Sequence, residues 1–386
     1  MKLGPVRIAW LQISHQKLRL LAAVLGVAFA VVLVFVQMGF QRALYDSSVR
    51  WHTALGYDLA VISPKTTYLV NPPGFPRNRL YQALGFDGVD SVTPVYIGIA
   101  EWRNPVDPVQ TRNIYVMGFD PLNSGFALAG NPDQVRQLRM PDRVLYDRLS
   151  RAEFGPIEQM LGGDADVSTE VNGRDVEIVG LYELGTSFGI DGSIITSDLN
   201  FRRIFSNRSA SQIELGLINL DAGADPVAVR DAIISGIPGD VRVLTRDEFI
   251  QHEVDYWSNN TPIGYVFGLG VAMGLAVGLI VVYQILFSDV QDHLREYATM
   301  KAMGYSNFFL SRLVLAEAVI LAVLGFIPGY GVSLLVYTQA REATNLPVIM
   351  TQERAVLVLA LTVGMCAVSA LLAMRKLRSA DPAEVF

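Results

Sequence analysis

Few side chains in this 386-residue sequence could do chemistry, and their spacing argues against the obvious reactions. Histidine occurs four times, as His15, His52, His252 and His293, and cysteine once, as Cys366. HEVDY (252–256) opens like the HExxH of zinc proteases, where two histidines one helical turn apart hold the ion and the glutamate serves as base. Tyr256 occupies the place of the second histidine, leaving one histidine among scattered carboxylates. GLYELGTS (180–187) repeats the glycine spacing of a phosphate-binding loop, but Thr186 stands where that loop needs its lysine. No complete motif of that kind occurs in the chain, so this polypeptide is not expected to hydrolyse ATP by itself. Nor does the sequence display a set of nucleophile, base and orienting group. The expectation is a non-catalytic chain that binds no metal or cofactor.

Glu317 stands apart from these. It is the one charge in the apolar run 313–340, and a carboxylate in hydrocarbon is costly enough to be a functional candidate by default. Arg312 lies about one turn before it, so local pairing is the competing structural role. Three other runs, 20–40, 262–287 and 355–374, carry no charge. At a rise of about 1.5 Å per residue, each of the four can cross a hydrocarbon core of about 30 Å. Run 20–40 is too long for the apolar core of a signal peptide and lacks a small-x-small cleavage site, so it reads as a retained anchor.

Lys and Arg set the orientation. Segments 1–19, 288–312 and 375–386 must share one side and hold ten basic residues, against two in the loop 341–354. The positive-inside rule places both termini in the cytoplasm and 41–261 outside it, in the inner (plasma) membrane of a cell. That exposed segment carries 19 basic against 29 acidic residues, which argues against nucleic acid and against tight docking on anionic lipid. Segment 1–19 alternates Ile8, Trp10, Leu11, Ile13 and Leu18 with polar residues, as a cytoplasmic amphipathic helix at the lipid interface does.

The exposed segment mixes two periodicities. Runs 58–63, 91–102, 112–119, 176–184, 192–197 and 213–220 are β-branched or alternating and predict strands. Runs 141–154, 197–205 and 225–235 carry helical spacing, with Asp198 and Asp225 as N-caps and Pro226 in the first turn. Together they predict an α+β domain of two lobes, with the Pro/Gly-rich 71–79 as a surface loop. It contains no cysteine, so its own core must hold it together. The fold class is therefore a membrane protein with four transmembrane helices, one and then three, and a large extracytoplasmic α+β domain inserted between the first two.

Two further patterns concern packing and partners. Ala22, Gly26 and Ala30 recur every four residues in the first span, and Gly270, Gly274 and Gly278 in the second. Such stripes let helix backbones approach closely in lipid, here between the two spans or across a dimer axis. Pro328, with Gly325, Gly329 and Gly331, should kink or loosen the third span. The loop 288–312 is too short for a domain but rich in helix formers. Leu294, Tyr297, Ala298, Met300, Lys301 and Met303 predict a short helix stopped by Gly304, with Ser306 capping the third span. A rigid element joining two spans is a surface for a soluble partner to push.

LREYATMKAMGYS (294–306), the Glu-then-Gly-rich LAEAVILAVLGFIPGYGVS (315–333) and the ending DPAEV resemble the MacB/FtsX-type ABC permeases. VEIVGLYELG and DGSIITS resemble the core β-region of that family's exposed domain. The resemblance covers the whole chain, strongly in the membrane part and more weakly across 60–170. With no nucleotide-binding motif of its own, the chain most resembles the split permeases of the DevC type, found in cyanobacterial glycolipid exporters. The resemblance implies a homodimer embedded in membrane lipids, driven by a separate ABC-type ATPase that holds the ATP and Mg. It implies that Leu294, Arg295, Glu296, Tyr297, Met300, Lys301, Met303 and Gly304 form the ATPase-coupling element. It further implies a periplasmic adaptor, a TolC-like outer-membrane channel, and an amphiphilic substrate that never passes through the spans, a glycolipid being favoured. Two alternatives stay open: an FtsX-like regulator of a cell-wall hydrolase, and a Lol-like permease that extracts lipoproteins.

Overall fold

The computed structural model describes residues 5–122, 131–163 and 166–379. They form two compact units. The first comprises the residues up to Arg42, Pro262–Arg341 and those from Val348 onward; the second comprises Ala43–Thr261 with Glu342–Pro347. The chain opens with α1 (Pro5–His15) and α2 (Lys17–Ser48), followed by the short α3 (Arg50–Ala54).

The second unit continues through β1 (Leu59–Ile62), β2 (Phe75–Pro76), α4 (Arg77–Gln82), β3 (Val89–Arg103), β4 (Thr111–Phe119), α5 (Pro132–Gln137) and β5 (Arg143–Asp147). It proceeds with α6 (Ile157–Leu161), β6 (Val167–Val171), β7 (Arg174–Tyr182), β8 (Ser193–Ser197), α7 (Asp198–Ile204), β9 (Gln212–Ile213) and β10 (Leu215–Leu220). It closes with α8 (Pro226–Gly236), β11 (Arg242–Thr245) and α9 (Arg246–Asp255). Nine strands make one sheet in the order β11-β1-β10-β3-β4-β8-β5-β7-β6, with β6 returning to β3 through Trp102 and Val171.

The fifteen-residue β3 serves both halves of that sheet. Its first half pairs antiparallel with β10, and its second half closes a six-stranded ring with β4, β8, β5, β7 and β6. Alternate residues of the ring strands, among them Trp102, Ile114, Val116, Val144, Tyr146 and Ile178, share one buried core, as period-2 side chains on a curved sheet must. The opposite face, including Tyr115, Met117, Leu145 and Ile195, packs with Trp51 of α3 and Phe249 of α9 in a second core. The exposed segment forms one compact unit, and the two halves of its sheet share β3.

Among the described residues, four helices are long and apolar enough to cross a membrane: α2, α10 (Pro262–Asp292), α12 (Asn307–Thr344) and α13 (Gln352–Ser379). Between α10 and α12 lies α11 (Leu294–Ala302). α12 stays helical through Pro328.

Three local expectations are corrected. Run 141–154 is not a helix: residues 143–147 form β5, between β7 and β8, with Val144, Leu145, Tyr146 and Asp147 all buried. A strand covered on both faces has no alternation to read, and tertiary pairing overrides the helical spacing. Segment 71–79 is not all loop, because Phe75 and Pro76 pair with Ile213 and Gln212, and α4 starts at Arg77. Ser197, not Asp198, caps α7, its hydroxyl accepting from Asn200 N at 3.1 Å. Asp225 caps α8 by accepting from Val227 N at 3.0 Å, with Pro226 at the first position.

Candidate functional site

The short helix between α10 and α12 is built by its ends. Residues 294–303 favour helix, and Gly304 stops it at φ +92°, a conformation that L side chains rarely adopt. Tyr305 N donates to Met300 O at 3.1 Å and Gly304 N to Lys301 O at 3.0 Å, the paired bonds of a Schellman motif. Ser306 then caps α12, its hydroxyl accepting from Phe309 N at 3.3 Å. Two cooperative caps back to back give a rigid corner.

The faces of α11 divide clearly. Arg295, Glu296, Lys301, Met303 and Gly304 are exposed, Met303 by 65%. Leu294 and Met300 are half-buried. Tyr297, expected to touch a partner, is only 2% exposed and belongs to the inner face, one turn from His293 and Met300. Burial first, then the carboxyls of Glu317 and Asp289, hold its phenol well above the usual range. Sequence reasoning missed Phe308, 71% exposed in the first turn of α12 with the Arg312 guanidinium 5.9 Å from its ring centre. Its signal was an aromatic residue outside any span, within reach of Gly304. Exposed apolar tips beside mixed charges suit protein contact more than solvent.

The N-terminal helices brace this corner. Arg19 of α2 pairs with Asp292 at the end of α10, and Gln12 of α1 donates to Glu296 at 3.5 Å. Glu317 is fully buried, facing Asp289 of α10, while Arg312 lies against Phe308, so the local pairing expected with Arg312 is replaced. The Glu317 oxygens, Asp289 Oδ2, Tyr297 Oη and Gln12 Oε1 are all buried, Glu317 facing Asp289 and Tyr297 facing Gln12. Trp10, at 46% exposure, lies on the open side of α1.

The small-residue stripes pack as span contacts within one chain. A Cβ on Gly26 would meet Val281 Cγ1 at 2.5 Å, and one on Gly274 would meet Leu33 and Val34 at 3.3 Å. Gly270 abuts the Gln37 side chain, and a Cβ on Gly278 would meet Ala30 Cβ at 2.7 Å. Ala22 is exposed and takes no part; the packed small residue of that turn is Ala23. Gly325 and Gly329 of α12 do for Val27 and Val31 what the α10 glycines do for the rest of α2.

The residues that mimic enzyme motifs have other partners. His252 Nε2 lies 3.1 Å from Thr66 O. Glu253 is buried and accepts from Leu69 N at 3.0 Å and Trp257 Nε1 at 3.1 Å. Burial raises its carboxyl to about 7. His52 is buried against Tyr57, 2.8 Å from its hydroxyl, and burial holds its ring at about 3. Among the described residues, no three His, Cys, Asp or Glu side chains cluster as a metal site. The C-terminal DPAEVF lies outside the described residues.

Comparison with known proteins agrees with this layout. The family model of the MacB-like periplasmic core domain matches residues 20–235, and that of the FtsX-like permease C-terminal domain matches 268–382. Two solved structures share 12% identity with the chain. One is the extracellular domain of the noncanonical ABC-type transporter YknZ from Gram-positive bacteria, covering 49% of this chain and 98% of that one at a TM-score of 0.34. The other is the periplasmic region of MacB from Actinobacillus actinomycetemcomitans, covering 52% and 94% at a TM-score of 0.35. No curated protein matches the sequence. The first family model alone spans more than half of the chain, and the two follow one another in the order of its units. The chain therefore belongs to the MacB/FtsX-type ABC transporter permeases, with a MacB-like periplasmic core domain set before an FtsX-like permease domain.

Proposed function

We propose that this chain is the permease subunit of an ABC-type exporter that carries motion from a separate ATPase to its own periplasmic domain. The observation behind this reading is the corner where the Schellman stop of α11 meets the Ser306 cap of α12, beside which Arg295, Glu296, Lys301 and Met303 are exposed. ATP and Mg bind the partner ATPase, and two copies of the chain act as a dimer. Movement of α11 tilts α10 and α12, and the periplasmic domains then expel an amphiphilic substrate, a glycolipid by preference, through an adaptor and an outer-membrane channel. The spans act as levers. In support, small residues close α2 against α10 and α12.

The test is a tagged purification from detergent-solubilised membranes with mass spectrometry of what is retained. An ABC ATPase with a periplasmic adaptor is the expected outcome. A hydrolase in place of the adaptor would favour the regulatory reading, and absence of any ATPase would end both. Glu296→Lys and Met303→Asp should each lower ATPase retention at least several-fold without lowering membrane abundance. Unchanged retention in both would remove α11 as the docking element.

A further inference from the structure

The segment that resembles a phosphate-binding loop has a different use. Residues 184–190 follow β7 and form a buried loop, with Leu184, Thr186, Ser187 and Ile190 each less than a tenth exposed. Asp147 at the end of β5 ties the loop down, accepting from Leu184 N at 3.0 Å, Gly185 N at 2.8 Å and the Ser193 hydroxyl at 3.2 Å. Ser187 and Ile190 then exchange backbone bonds and tighten the turn.

Three segments that lead directly to membrane helices meet this loop. Arg50, two residues beyond the end of α2, donates from Nη1 to Leu184 O at 3.1 Å. The guanidinium packs where a Cβ on Gly185 would stand, and Gly185 has φ +92°, so both contact and conformation require glycine. Thr344, the last residue of α12, accepts at its carbonyl from the Thr186 hydroxyl at 2.9 Å. Next to it Asn345, at φ +55°, ends that helix and donates to Leu149 O at 3.3 Å, in the turn that Asp147 also orders. Trp257, five residues before α10, would lie 3.6 Å from a Cβ on Gly189. Ser48, Trp51, Ser187, Ile190 and Trp257 together close on a void of only about 10 Å³.

We infer that the 184–190 loop is the receiving end of the transmission: it gathers the extensions of the first three spans, and Thr186 and Gly185 are its positioning residues. The inference rests on the mechanical reading proposed above. Each extension contributes a contact that its own helix would pull if tilted, and the Asp147 bonds pass that pull to β5, β7 and β8 of the six-stranded ring. Arg50, Trp257 and Thr344 belong to the same compact unit as the loop, and each lies at or within a few residues of the end of a membrane helix.

The test uses the full chain co-purified with its ATPase in nanodiscs, with Cys366→Ala and a nitroxide on Val109→Cys, a position 90% exposed between β3 and β4. Double electron–electron resonance reads the distance between the two copies without nucleotide and after trapping with ATP and vanadate. The expected result is a trapping-dependent shift that falls to roughly half or less in Thr186→Val combined with Asn345→Gly, which removes the amide but keeps the left-handed turn, with vanadate trapping and thermal midpoint retained. Thr186→Ser, which keeps the hydroxyl, should retain the full shift. A full shift in the double variant would overturn the inference while leaving the mechanical reading intact. No shift in the unmutated loop would overturn both.

Discussion

At the scale of single residues, burial decides what the ionisable groups can do. Glu253 sits beside the turn that leads to α10, holding Leu69 N and Trp257 Nε1, and its carboxyl rises to about 7 because burial disfavours the charged form. A raised carboxyl binds its proton in the folded state while the unfolded chain has released it. Its contribution is therefore complete below the ordinary glutamate range and is lost as pH rises toward about 7. The loss amounts to roughly 3 kcal/mol across that window. Asp147 and Glu214 are also raised by burial and push the same way, so the informative quantity is a difference between variants. His52, whose ring burial lowers to about 3, pushes the opposite way, so the thermal midpoint of the full chain minus that of Glu253→Gln, followed by tryptophan fluorescence, should fall between pH 4.5 and 7.5. Parallel curves would mean that Glu253 is not the titrating group.

At the scale of elements, the contrast between glycines that touch and glycines that do not gives a matched test. Gly278 stands between Ala30 and Met365, where a larger side chain must displace packed neighbours; Gly331 has nothing within 4 Å of its Cβ position. Gly278→Val should cost about 1–3 kcal/mol, the usual range for overpacking, and lower the yield of monodisperse protein on size exclusion. Gly331→Val should leave both unchanged unless that face meets a second copy. The same elements explain how much could be read beforehand. The four spans were legible because hydrocarbon imposes length and apolarity on any crossing helix, and α11 because Gly304 and Ser306 are local signals. β5 was not legible, since a strand covered on both faces shows no alternation. Nor was the inward turn of Tyr297, which depends on what Glu317 and Asp289 place behind it. The 184–190 loop was visible only as a failed nucleotide motif, because its partners at 50, 257 and 344 are remote in sequence.

At the scale of the whole molecule, the mechanism requires α11 and the β-domain to face opposite compartments. The basic residues argue for that arrangement: ten lie in the segments grouped with α11 and two in the loop 341–354. Positive charge is retained on the cytoplasmic side during insertion, so α11 should face the ATP pool and the acidic domain the periplasm. Single cysteines can decide this in a Cys366→Ala background, since Cys366 is the only native thiol. Val109→Cys lies in the domain and Lys301→Cys on α11, and both positions are exposed. A membrane-impermeant maleimide should label Val109→Cys in right-side-out vesicles and Lys301→Cys only in inverted ones. The reverse pattern would put the ATPase and α11 on opposite sides of the membrane, and no rearrangement of contacts within the chain could then couple them. Labelling of both positions from one side would instead require an odd number of crossings between residues 109 and 301 to be wrong. That would remove α10 as a span and, with it, the lever that joins α11 to the domain.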